Sequence, residues 1–392
     1  MYDIVIIGSG IVGSVTAIAL AQNTALNIAI LDINPITLKK NKILTHRFSA
    51  LSHASKNILK NIHIWDEIPC EYISVFNNME VWDKEGQGKL HFDSQSVQES
   101  ALGYIVEDDV IRQKLWENLR HLNIDMIAPI QLIDMQKKMD YLELITSDAR
   151  VIKTRLLIGA DGANSWVRKT ADILLSTRDY QHTAIIATVQ TELPHEMTAW
   201  QCFSDLGILA FLPLKDLHTC SIVWSVKPMD ANNLLLLEPD VFQEKLADAF
   251  MNRLGKVTLL SPRYDFKLTM RHAKQYVKDS IALIGDAAHT IHPLAGLGVN
   301  MGLLDAAALV EVIMTALQKN RRIDSFATLR RYERMRKGDT QMMLGFVEGI
   351  KELFASHHPS LRMLRNSGLN WVEKVAFLKK FFIRYAIWPK LR

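Results

Sequence analysis

Three glycines, at positions 8, 10 and 13, follow directly on the apolar run Tyr2-Asp3-Ile4-Val5-Ile6-Ile7, and Asp32 closes the next apolar run, Ile28-Ala29-Ile30-Leu31. A G-x-G-x-x-G pattern between a strand and a helix is suited to holding a pyrophosphate. Gly8 permits the tight turn, Gly10 lets the backbone approach a phosphate, and Gly13 lets the helix pack on the strand. The helix that starts there offers aligned N–H groups to the anion. Asp32 stands at roughly the 20-residue offset at which a carboxylate reaches a ribose hydroxyl. Glycine-rich turns also occur for turning alone, but here strand, helix and acid stand in order, and the pattern points to a dinucleotide.

Two later segments also deliver an aspartate to the end of a strand. Leu156-Leu157-Ile158-Gly159-Ala160-Asp161-Gly162 runs on into a basic helix start at Arg168. Ile281-Ala282-Leu283-Ile284-Gly285-Asp286 continues through His289, His292, Pro293, Gly296, Leu297, Gly298, Val299 and Asn300 into a helix. His289 and His292 have a metal-ligand spacing, yet no third ligand of the right type lies nearby, so no metal is expected and His289 reads as a hydrogen-bonding loop residue. Cys70, Cys202 and Cys220 form no C-x-x-C pair and read as reduced core residues.

Taken together, the three motifs resemble those of the class A flavoprotein aromatic hydroxylases over nearly the whole chain. Within that group, Arg47-Phe48-Ser49-Ala50-Leu51-Ser52, Met79-Glu80-Val81-Trp82-Asp83, Leu102-Gly103-Tyr104-Ile105-Val106-Glu107, Ala210-Phe211-Leu212-Pro213-Leu214 and His289 through Gly296 are similar to the bacterial ubiquinone-biosynthesis hydroxylases. With a single G-x-G-x-x-G, the resemblance implies FAD as the resident cofactor and NAD(P)H as a transient co-substrate. It implies O2 and a polyprenylated phenol or quinol as substrates, with the ring hydroxylated through a flavin C4a-hydroperoxide.

The same resemblance assigns Asp32 to the adenosine ribose, Arg47 and Arg112 to the phosphate and ribityl region, and Asp286, beside Gly285, to the ribityl chain and pyrophosphate. Pro293 belongs to the same loop, and Gly296, Leu297, Gly298, Val299 and Asn300 would pass their backbone beside the isoalloxazine ring. Asp161 and Arg168 sit in the motif that serves both FAD and NAD(P)H in such enzymes. The residues leave other readings open: Arg47 and Arg112 as surface ion-pair residues, and Asp161 as a helix cap. His292 and Tyr104 are candidates for assisting deprotonation of the ring hydroxyl, with plain packing as the alternative.

Leu297 departs from the family, which usually has glutamine there. If its side chain faces the substrate, the ring environment becomes more apolar. The departure also leaves room for a non-catalytic flavin-binding accessory subunit of a biosynthetic assembly, and a soluble aromatic hydroxylase of the same class is a further alternative. The ring carbon attacked stays open too. Ser221-Ile222-Val223-Trp224 looks like the enzyme acting first after decarboxylation, whereas Arg271 through Val277 and Leu361 through Asn366 look like the paralogue acting last.

These residues need a scaffold. The chain has 392 residues, 48% of them hydrophobic, enough for a large core and two lobes. The expected fold class is α/β: a Rossmann-like FAD-binding lobe of the class A flavoprotein hydroxylase type, an inserted antiparallel β-sheet substrate lobe, and a helical C-terminus. The FAD lobe is expected over 1–75, 100–178 and 270–345, and the sheet lobe over 76–99 and 179–269. Long helices are expected near 301–318 and 325–350.

The start of the chain carries no basic leader and no apolar run approaches the roughly 18 residues of a membrane span, so a cytoplasmic protein is expected. From 350 to 392 there are five lysines and four arginines against Glu352 and Glu373, a net of +7 in a chain whose total is +4. Trp371, Val375, Leu378, Phe382 and Tyr385 form one helical stripe, with Glu373, Lys380 and Arg384 opposite. This basic amphipathic segment, 346–392, reads either as a helix packed on the body or as an interfacial helix on the inner face of the cytoplasmic membrane. Another protein of the same pathway is a third possible partner. Nucleic acid is not expected, because the basic residues interleave with an apolar stripe and no nucleic-acid module is present.

Overall fold

The structure is a computed structural model that describes residues 1–36, 47–86, 88–290 and 297–355. His292, Pro293, Gly296 and the basic tail beyond 355 lie outside the described residues, as does the side chain of Leu297.

The apolar runs that carry the motifs form one parallel core. Tyr2–Ile7 pairs with Val151–Gly159 on one side and Ile28–Leu31 on the other. Ile281–Leu283 and Ile124–Ile127 extend the parallel core on its two sides, and Val277–Lys278 adds an antiparallel strand beyond the former. Such strands are covered on both faces and read as continuous hydrophobic runs, which is why Ile4, Val5, Ile6, Ile28, Ala29 and Ile30 are all fully buried. All three aspartates leave this sheet at the carboxyl ends of its parallel strands, where open α/β sheets bind their ligands.

Helix Ile11–Asn23 packs against helix Leu297–Gln318, and the latter against helix Phe326–Ala355. By length and composition Gly298–Gln318 could cross a membrane, contrary to the expectation that no run is long enough, but most of it is buried inside the protein. The run carries two acids, Asp305 and Glu311, and the charge of Asp305 is met by partners described below.

A second sheet of nine strands joins Leu175–Thr191, Thr198–Ser204, Gly207–Pro213, Thr219–Val226 and Tyr264–Ala273 with the earlier hairpin Asn78–Asp83 and Lys89–Asp93. The expected antiparallel order holds apart from Thr198–Ser204, which runs parallel to Asn78–Asp83. That strand belongs to a different stretch of chain and enters from the other lobe, so no hairpin forces it to be antiparallel. One face of the sheet is closed by two helices absent from the sequence reading, Pro228–Leu236 and Pro239–Ala249, each with proline in its first turn. Trp224, Phe211, Phe242 and Phe250 fill that interface. Cys202 and Cys220 are buried there, burial pushing the Cys202 thiol up to about 12, whereas Cys70 is exposed and is not a core residue.

Candidate active site

Gly8 has φ +104°, a conformation that favours glycine, and a Cβ there would stand 2.4 Å from the Ala160 carbonyl oxygen. A Cβ on Gly13 would stand 2.1 Å from the Gly8 carbonyl oxygen. Gly10 differs: a Cβ on it would meet nothing within 4 Å among the described residues. It caps helix Ile11–Asn23 with no side-chain hydrogen bond. The first N–H groups of a helix have no partner within it, and no described residue crowds the space beside Gly10 in front of these.

Asp32 closes the loop. Its carboxylate accepts from the Ser9 N–H and hydroxyl, both at 2.7 Å, and from the Asn34 N–H at 2.8 Å. Ser9 is held from the other side by Trp116, whose indole N–H donates to its carbonyl at 2.7 Å. Trp116 lies on helix Asp108–Leu119, and Arg112 of that helix sits over its ring and pairs with Asp109 at 3.0 Å. Arg47, largely exposed, reaches the start of the same helix and pairs with the buried Asp108 at 3.2 Å.

Asp161 accepts from the Val167 N–H at 3.0 Å in the first turn of helix Trp166–Thr170, whose N-cap is Ser165, while its buried Oδ1 has no hydrogen-bond partner among the described residues. Burial raises its pKa, offset in part by Ser165 and the Val167 N–H. Arg168 is buried too, its guanidinium donating to the carbonyls of Ala287 at 2.8 Å and Ala163 at 2.9 Å. It ties the Asp161 turn to the Asp286 turn.

Asp286 follows Gly285, which has φ +59°. Burial raises its pKa, and the charges of His289, Arg47 and Arg271 oppose the rise. The turn is pinned by Asp305, which the sequence reading did not single out. Asp305 accepts from the Gly285 N–H at 3.0 Å, lies 2.6 Å from His289 Nε2 and accepts from Arg336 Nε at 2.8 Å. Burial alone would raise its pKa, but His289 and Arg336 outweigh it and hold the carboxyl below its ordinary range. A lone acid within Leu303-Leu304-Asp305-Ala306 was the available signal. The packing is equally close: a Cβ on Gly302 would stand 2.5 Å from Val12.

Gly298, Val299 and Asn300 open helix Leu297–Gln318. The Asn300 side chain accepts from the Ser52 N–H at 2.8 Å and the Ser55 hydroxyl at 2.6 Å and donates to the Ala50 carbonyl at 2.7 Å, fastening that helix start to the segment after Arg47. Tyr104 lies opposite Leu51 in the neighbouring strand, next to the residues that hold Asn300. It is buried edge-on against His53 and Trp65, and its hydroxyl accepts from Lys56 Nζ at 2.9 Å, the environment of a packing residue. Among the described residues no cluster of His, Cys, Asp or Glu could hold a metal ion.

Among the described residues, uncrowded space beside Gly10 at an uncapped helix N-terminus, an acid at the ribose position and an unpartnered buried carboxylate oxygen on Asp161 fit FAD. The comparisons agree. The sequence model of the FAD binding domain matches residues 131–340. The 3-demethoxyubiquinol 3-hydroxylase of Escherichia coli K12 is 36% identical over 386 residues, covering 98% of both chains. The ubiquinone hydroxylase UbiL of Rhodospirillum rubrum is 32% identical, covering 98% of this chain and 89% of its own. Among solved structures, the p-nitrophenol 4-monooxygenase PnpA of Pseudomonas putida superposes with a TM-score of 0.79 at 16% identity, over 100% of this chain and 99% of its own, a likeness of fold.

Fold and site together define a flavoprotein monooxygenase of class A, with FAD as its cofactor. Within that class, the chain belongs to the family of the ubiquinone-biosynthesis hydroxylases.

Proposed function

We propose that this protein hydroxylates the ring of a polyprenylated quinol or phenol in ubiquinone biosynthesis, with NAD(P)H as electron donor and O2 as oxygen source. Within that reaction we assign it to the late, demethoxyubiquinol-type ring. The observation that carries this reading is the 36% identity to a 3-demethoxyubiquinol 3-hydroxylase over 98% of both chains.

When bound, FAD supplies the activation of O2; the chain has to hold it, orient the ring and exclude water. Gly10 and the helix behind it, Asp32, Asp161 and Asp286 would hold the cofactor. For the ring and its prenyl tail, the second face of the nine-stranded sheet is suited. Ile186, Val223 and Ala210 lie in register across three adjacent strands. They alternate with Ile185, Ala187, Leu209, Phe211, Ile222 and Trp224, which fill the core under the helices. Ile186, Ala210, Leu212, Val223 and Met270 are only half-buried, leaving an apolar wall for an apolar substrate. Strand Gly207–Pro213 also touches Ile73–Phe76, so this face meets the nucleotide lobe.

The basic tail supports placement at a membrane surface, where such a substrate resides. The test is NADPH oxidation by the FAD-loaded protein with a short-chain demethoxyubiquinol, with the product read by mass spectrometry. Substrate-dependent oxidation with a gain of one oxygen is expected. FAD binding without turnover on any prenylated phenol or quinol would favour the accessory-subunit reading.

A further inference from the structure

Arg271 stands in strand Tyr264–Ala273, whose end is stitched to the Asp286 turn. The Ala273 N–H donates to the Ala288 carbonyl at 2.8 Å. In register, His272 faces His289 and Arg271 faces Thr290. On its other side Arg271 faces Thr177. Residues directly opposed on antiparallel strands share a face, so Thr177, Arg271 and Thr290 form one row at the seam between the nine-stranded sheet and the nucleotide lobe.

Within this row two groups have no counterpart among the described residues. Thr290 Oγ1 is buried without a hydrogen-bond partner among the described residues. Arg271 is half-buried, and among the described residues it makes no ion pair and its guanidinium no hydrogen bond. The neighbouring Arg168 is unlike it, being committed to two carbonyls. Arg271 also stands close enough to Asp286 to oppose the rise that burial gives that carboxyl. A partly desolvated guanidinium and a buried hydroxyl both lose solvent partners on folding, and a ligand can replace them. The guanidinium fork matches a phosphate through two parallel N–H···O bonds.

We propose that Arg271, with the Thr290 hydroxyl beside it, binds a phosphate of a dinucleotide at this seam, belonging either to resident FAD or to the visiting NAD(P)H. The inference rests on the FAD-dependent reading above. A charge-assisted pair of this kind is worth about tenfold or more in affinity.

The experiment uses Arg271→Gln and Arg271→Lys in the full chain, with melting curves of the apoproteins alongside. Flavin fluorescence titrations give the Kd for FAD and for riboflavin, which lacks phosphate. Anaerobic stopped-flow gives the NADPH and NADH concentrations at half-maximal flavin reduction. If the phosphate belongs to FAD, Arg271→Gln raises the Kd for FAD about tenfold and leaves riboflavin unchanged, and Arg271→Lys recovers part of the loss. If it belongs to the donor, FAD binding is unchanged while the half-saturating NAD(P)H concentration rises by a similar factor at an unchanged limiting rate. Unchanged values in both arms overturn the proposal. So does an equal loss of FAD and riboflavin affinity, or a lower melting temperature that lysine does not restore, because each marks a packing role. Failure of the FAD reading itself would show separately, as wild-type protein that binds no FAD.

Discussion

Gly10 separates ligand binding from folding more cleanly than its two neighbours in the motif. In Gly10→Val the new side chain grows into a volume where a Cβ meets nothing within 4 Å among the described residues. The backbone there has φ −66° and ψ 178°, which valine adopts without strain. The folding cost is therefore limited to a poorer helix cap, about 1 kcal/mol, against a total stability of about 5–15 kcal/mol. The same volume is where a pyrophosphate must approach the first N–H groups of helix Ile11–Asn23. Displacing two charge-assisted hydrogen bonds removes about 1.5–3 kcal/mol each, so the Kd for FAD should rise on the order of a hundredfold to ten-thousandfold. Gly13→Val should behave oppositely, since its Cβ meets the Gly8 carbonyl oxygen at 2.1 Å and backbone cannot yield. Circular dichroism with flavin titration of both variants is the assay. Gly10→Val protein that is folded and purifies yellow with normal FAD affinity would refute the reasoning, and so would a Gly10→Val chain that fails to fold.

Three further outcomes are expected. Burial raises the Asp286 pKa, so ionising it costs the folded apoprotein stability at pH values above the ordinary 3.8; Asp286→Asn should raise the apoprotein melting temperature at neutral pH, leave it unchanged below pH 3.8, and weaken FAD binding. Asp305 is held below its ordinary 3.8, so its pairing stabilises above that pH and is lost in acid; Asp305→Ala leaves the buried Arg336 with only the more exposed Asp339 as partner and should cost about 3 kcal/mol in urea unfolding, part of which Arg336→Met restores. For the basic tail, which lies outside the described residues, reversing Lys379, Lys380 and Arg384 to glutamate should reduce sedimentation with anionic vesicles at low salt by about 1 kcal/mol per residue with FAD content unchanged; wild-type protein that ignores such vesicles would remove the interfacial reading.

The sequence by itself determined the local chemistry of the nucleotide lobe. Strand, G-x-G-x-x-G, helix and Asp32 are contiguous, and contiguous geometry is encoded by backbone sterics and hydrophobic period, so the loop and its acid were legible. The resemblance carried by the motifs gave the family and its cofactor for the same reason: each motif is a local unit of strand, turn and helix.

Tertiary structure decided which side chains face one another across long stretches of chain. Asp305 and Gly285 are 20 residues apart, Arg168 and Ala287 are 119, and Asn300 and Ser52 are 248. No periodicity links such pairs, because their meeting depends on how helix Leu297–Gln318 packs against helix Ile11–Asn23 and its neighbours. The parallel pairing of Thr198–Ser204 with Asn78–Asp83 and the cross-strand placement of Arg271 beside Thr290 are decisions of the same kind. Register between distant strands is set by which faces must be buried together, and only the folded chain specifies that.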